Sequence, residues 1–92
     1  MVNRERIVEE IIKERFRQDT LAHVTLCEQT NTINDYIAYI AAYLGRAAYK
    51  CRRNEVEGQN SRASFVKAAA LCVAAIENID TQAEKEQDSY EN

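Results

Sequence analysis

The chain has no proline, no tryptophan and only two glycines in 92 residues. Strands joined by tight turns need such punctuation, so its scarcity argues against β-rich folds and predicts helices. The three cysteines, Cys27, Cys51 and Cys72, are odd in number and form no C-x-x-C pair. That argues against a disulfide scaffold or a cysteine zinc site and fits a reducing compartment. No apolar run approaches the ~18 residues of a membrane span. The charged opening with Arg4, Glu5 and Arg6 is followed by no signal-peptide core. A cytoplasmic protein is expected. No Ser/His/Asp arrangement, glycine-rich phosphate loop or cluster of metal-ligating residues is visible.

An excess of positive charge is missing too. The net charge is −3. Residues 81–92 hold four acids (Glu84, Glu86, Asp88, Glu91) against Lys85, leaving eleven charges of each sign in residues 1–80. A neutral body with an acidic end lacks the basic stripe of a general nucleic-acid binder, so direct DNA binding is not expected.

What is present is alanine and helical periodicity. Apolar residues make up 46% of the chain, but many are alanines. A chain this short buries only roughly 60–65% of its unfolded surface. A thin core predicts a homo-oligomer, whether dimer, tetramer or larger.

Three helices can be read. The first covers about residues 3–27, with a break near Asp19 and Thr20 as an alternative. Ile7, Val8, Ile11, Ile12 and Phe16 form its apolar face, and charges cover the rest. Thr32 and Asp35 resemble a capping box, with Asn34 as another candidate cap, opening a second helix over about 33–53. Ile33, Ile37, Ile40, Leu44, Ala47 and Cys51 form one stripe there, and Tyr36, Tyr39 and Tyr43 a second. Gly58 lies in the stretch that ends this helix. Asn60 or Ser61 can cap a third, running to about Ile79. Its segment 68–76 is apolar on every side, a pattern that predicts burial all round, completed by a partner subunit. The chain divides into one all-α domain, residues 1–80, and an acidic tail, 81–92, expected to be disordered.

Residues 11–19, with Glu14-Arg15-Phe16-Arg17-Gln18, resemble the E-R-x-R-Q opening of small phage-type MazG-like nucleotide pyrophosphohydrolases. Residues 35–47 are similar to that family's second helix, approximately W-L-x-I-L-x-E-E-V-G-E-V-A. Residues 62–71 resemble its third, R-E-E-L-I-Q-V-A-A-V, and 75–80 its usual end. The resemblance covers about residues 7–80. It implies an all-α bundle, three helices here, completed by oligomerisation. It also implies hydrolysis of nucleoside triphosphates by Mg²⁺ held on carboxylates of two helices. Mg²⁺ takes oxygen ligands and bridges phosphates, so that chemistry needs those acids.

The acids are replaced. Ala42, Tyr43 and Arg46 stand where the second-helix glutamates would be; Ala63 and Ser64 match the third-helix acids, and Lys67 stands where the family has an acid or an amide. The resemblance therefore implies the fold without the activity, and no metal or other cofactor. Two of the replacements are basic, and arginine's planar fork suits phosphate oxygens. Tyr39, Tyr43, Arg46 and Lys50 fall at i, i+4, i+7 and i+11, roughly one helical face. A base could stack on tyrosine while phosphates meet Arg46, Lys50 and Lys67, with Arg17 contributing from the first helix.

The leading expectation is a catalytically inactive MazG-like protein that binds a nucleotide, linear or cyclic, or a nucleotide-derived signal. In a phage it would serve as a counter-defence sponge. The first alternative is an active pyrophosphohydrolase using Glu10, Glu14, Asp35, Glu55 and Glu57. The second is a helical interaction module or inhibitor with the tyrosines and acidic end as its contact surface. The simpler reading of the tyrosines is interface or core; that of Arg46 and Lys67 is ion pairing, with Asp35 or Glu77 of another subunit as candidates. Gly45 suggests close helix packing, His23 a structural or solvated role, and the cysteines small buried hydrophobes. Arg15, Arg17 and Gln18 are expected to be mainly solvated.

Overall fold

The computed structural model describes residues 2–20, 31–51 and 61–91, the side chains of 50–51 and 88–91 excepted. Three helices account for nearly all of them: α1 (Arg4–Thr20), α2 (Ile33–Cys51) and α3 (Arg62–Glu91). No strand occurs among the described residues. The protein is all-α.

Local chemistry sets the helix starts. The Asn3 side-chain oxygen accepts from the backbone N–H of Glu5 at 2.9 Å and of Arg6 at 3.3 Å, satisfying two donors that have no partner inside the helix. Thr32 and Asp35 form a reciprocal capping box. The Asp35 carboxylate accepts from the Thr32 N–H at 2.9 Å, and the Thr32 hydroxyl accepts from the Asp35 N–H at 3.2 Å. At the start of α3, buried Ser61 donates its hydroxyl to the carbonyl of Ala47 at 2.7 Å. That bond ties the first turn of α3 to the last turns of α2. Asn60 and Gly58 lie outside the described residues.

The long helix α3 packs against both α2 and α1. Small side chains allow it. Ser61, Ser64, Ala68, Ala70 and Ala74 are all buried, Ala70 completely. They meet a surface to which α2 contributes buried Tyr36 and Ala47, and α1 contributes buried Gln18. The molecule measures 57 × 28 × 22 Å. The shortest dimension is about two helix diameters, so no third layer covers the outer faces.

Several expectations are corrected. Helix α3 does not stop near Ile79 but continues through Glu91. Residues 82–87 (Gln, Ala, Glu, Lys, Glu, Gln) lack an apolar stripe, yet all are good helix formers with no breaker among them. The apolar segment 68–76 is no such correction: it leaves Cys72, Val73 and Ile76 exposed in the single chain, and its expected completion by a partner subunit remains a proposal. On α1, Val8, Ile12 and Phe16 are exposed, whereas Gln18 is buried and the Arg15 side chain is only 13% exposed. Those two are therefore not solvated. Helix α1 turns its mixed face inward because Arg15 has a partner there, Glu77 on α3, at 2.6 Å. Gly45 also departs from expectation. A Cβ built on it meets nothing within 4 Å, so no close packing within the chain requires it. His23, Cys27, Glu55 and Glu57 lie outside the described residues, as does the side chain of Cys51.

Candidate functional site

Helices α1 and α3 form an open cleft of about 510 Å³, within the range of small-molecule sites. Helix α1 contributes Glu10, Lys13, Glu14 and Arg17, which recur at three- and four-residue spacing along one face. Helix α3 contributes Arg62, Ala63, Val66 and Lys67. Four cations thus face two carboxylates, inside a chain whose net charge is −3. The cleft is locally positive where the whole protein is not.

Helix α2 joins through Tyr43. The Arg46 guanidinium lies 4.9 Å from the centre of the Tyr43 ring, and the Lys67 ammonium 6.0 Å from it. Both distances fall within cation–π range, the second at its limit. Arg17 shares the cleft lining with Lys67. One half-buried tyrosine therefore gathers a cation from its own helix and one from α3, and Lys67 links this pair to Arg17 of α1 in the cleft.

The charges are not equally engaged. Glu14 accepts a forked pair from Arg17, with bonds of 2.7–2.9 Å. That hydrogen bond holds the Glu14 carboxyl below its ordinary value; burial opposes the shift, and the charges of Arg17 and Lys67 add to it. The bond to Glu14 likewise raises Arg17. Arg62 pairs with Glu10, which raises it above the usual arginine range. Among the described residues, neither Arg46 nor Lys67 has a carboxylate within ion-pairing distance. Asp35 and Glu77 are engaged elsewhere in the same chain, in the capping box and with Arg15.

Of the residues expected to bind a ligand, Arg17, Tyr43, Arg46 and Lys67 come together. Tyr39 stands one turn earlier on α2 and is 45% exposed; its neighbour Tyr36 is buried, so the three tyrosines do not act as one stripe. The side chain of Lys50 lies outside the described residues. The ligand-binding expectation omitted Lys13, Glu14 and Arg62. The regular spacing from Glu10 to Arg17 was the available signal, and it read equally well as a solvated helix face.

The residues do not fit a magnesium site. Glu10 and Glu14 are, among the described residues, the only carboxylates in the cleft lining, and each is tied to an arginine. Among the described residues, no group of three or more His, Cys, Asp and Glu side chains converges on a point. A carboxylate held ionised by a forked arginine is also a weak proton acceptor, because a base is effective only when its pKa lies near the working pH. No helix of the described residues is long and apolar enough to cross a membrane. No protein-family model, curated protein or solved structure matches the chain.

Proposed function

We propose that the protein binds a phosphate-bearing nucleotide or nucleotide-derived signal without a metal and without turning it over, as a homo-oligomer of a degenerate MazG-like fold. The observation that carries this reading is the placing of Arg46 and Lys67 against the Tyr43 ring, with Arg17 beside Lys67 in the cleft lining. Arg46 and Lys67 would meet the phosphate oxygens, since neither must first leave a described carboxylate. Arg17 would follow by exchanging Glu14 for a phosphate. The Tyr43 ring already carries cations, so its role is to position them. Exposed Tyr39 is the better platform for a base. Retention without turnover suits a protein that sequesters its ligand, such as a phage protein acting against a host nucleotide signal.

Melting the full chain against linear and cyclic nucleotides, with Mg²⁺ and with EDTA, tests this reading. A ligand that binds only the folded state stabilises it by ~2.7 kcal/mol at one hundred times its dissociation constant. The expected result is a shift that survives EDTA, returns the ligand intact, and disappears in Arg46→Ala and Lys67→Ala. Mg²⁺-dependent release of pyrophosphate would overturn it in favour of Glu10 and Glu14 as working acids. No shift from any nucleotide would favour a protein-interaction module instead.

A further inference from the structure

The outer face of α3 is apolar and uncovered. Phe65, Ile76 and Ile79 are 51%, 58% and 50% exposed. Among the described residues, the buried apolar ones are Tyr36 and four alanines; the larger apolar side chains of α3 are half-buried, as Val66 and Leu71 are, or exposed. Their order is regular. Arg62, Phe65, Ala69, Cys72, Ile76, Ile79, Ala83 and Glu86 follow one another at alternating steps of three and four residues, the spacing of a coiled-coil seam. The sequence of steps reads the same from either end. Ala69 is half-buried and the other seven are exposed.

We propose that this face pairs with the same face of a second copy, antiparallel, about a two-fold axis at the level of Ala74. The side chains themselves select this register. It sets Phe65 against Ala83 of the second copy, Ala69 against Ile79, and Cys72 against Ile76, so every large side chain meets a small one. At both ends Arg62, which is already paired with Glu10 of its own chain at the edge of the cleft, comes opposite Glu86 of the second copy. Parallel, in-register pairing would set Arg62 on Arg62 and Phe65 on Phe65. Sliding the antiparallel pair by one heptad either way sets large on large and small on small: Phe65 on Ile76 with Ala69 on Cys72, or Ile76 on Ile79 with Cys72 on Ala83. A two-fold interface must be self-complementary, and only the Ala74-centred register is complementary in both size and charge. It also gives the acidic half of α3, which extends past its own chain's shorter helices, a helix to lie against.

The test uses the full chain with Cys27→Ser and Cys51→Ser, leaving Cys72 as the parent thiol. In the proposed register the two Cys72 residues are roughly 6 Å apart along the axis alone. The width between the helices then takes them beyond the ~7 Å reach of a disulfide. Ile76→Cys places a thiol opposite Cys72 of the second copy. Under mild oxidant, Ile76→Cys should form a covalent dimer and the parent should not. By light scattering, the unmodified chain should have the mass of two copies or an even multiple. Ile79→Glu should lower that mass while keeping its helical circular dichroism, since Ile79 is outside the single chain's own core. A monomeric unmodified chain, a parent that cross-links through Cys72 as readily as the variant, or an Ile79→Glu protein of undiminished mass would each overturn the proposal. None of these measurements involves a nucleotide, so the outcome is independent of the ligand reading.

Discussion

Replacing Ala70 with leucine should destabilise the protein markedly. Ala70 is fully buried on α3, the helix that packs on both of the others. Leucine adds three carbons at a position with no exposed surface, on the helical face that also carries Ala74, itself 5% exposed. Overfilling a packed site typically costs ~1–3 kcal/mol, because side chains leave their preferred rotamers and backbones separate. Here the displaced element is a whole helix, so the upper part of that range is expected. For a chain of this size each kcal/mol corresponds to roughly 4–8 °C in melting temperature, giving a fall of about 10–20 °C. The assay is thermal unfolding followed by far-ultraviolet circular dichroism at one fixed protein concentration, since self-association makes melting concentration-dependent. Ala42→Leu is the control: Ala42 is exposed on α2, and a surface change should stay within ~0.5 kcal/mol. Equal melting temperatures for Ala70→Leu and the control would refute the close seating of α3.

Three further outcomes follow from the same structure. Arg15→Ala should cost about 1–2 kcal/mol in urea unfolding: charge-assisted hydrogen bonds are worth ~1.5–3 kcal/mol, but half-exposed Glu77 and Asp19 regain part of that from water; no loss would mean the α1–α3 tie is inert. Gly45→Ala should raise stability by ~0.5–1 kcal/mol, because glycine weakens a helix interior and the added methyl meets open space; a loss would place Gly45 at a subunit contact. Glu14→Gln should be less stable than the unaltered protein at neutral pH. Because the Glu14 carboxyl is held below its ordinary value of 4.5, its contribution is fully present above that value. It should be lost as pH falls through the lower folded value. Unfolding curves between pH 7 and pH 3 check this, and a gap that persists in acid would contradict it.

The sequence disclosed what depends on neighbours along the chain. Thr32 and Asp35 are three residues apart, and their reciprocal bonds need nothing else to form. The absence of proline and the scarcity of glycine point to helices, and helices are present. What depends on the third dimension was hidden. Arg15 and Gln18 looked like surface residues because nothing local reveals that Glu77, sixty-two positions away, waits on α3. The end of α3 escapes any reading that requires an apolar stripe, because residues 82–87 continue the helix on intrinsic propensity. Arg46 and Lys67 stand out in the sequence on α2 and α3 because the MazG-like resemblance would put other residues, mostly acids, at their positions. The candidate site was not legible on α1, where Glu10, Lys13, Glu14 and Arg17 follow the pattern of any solvated helix.

The central claim is that the cations around Tyr43 bind phosphate without a metal. Calorimetric titration of the full chain with ATP and, separately, with inorganic pyrophosphate, both in EDTA, tests it most directly. The account predicts a saturable heat for at least the nucleotide, weaker at higher salt because exposed charges are screened, and absent in the Arg46→Ala, Lys67→Ala double variant. Binding that requires Mg²⁺, or that persists unchanged in the double variant, would contradict it.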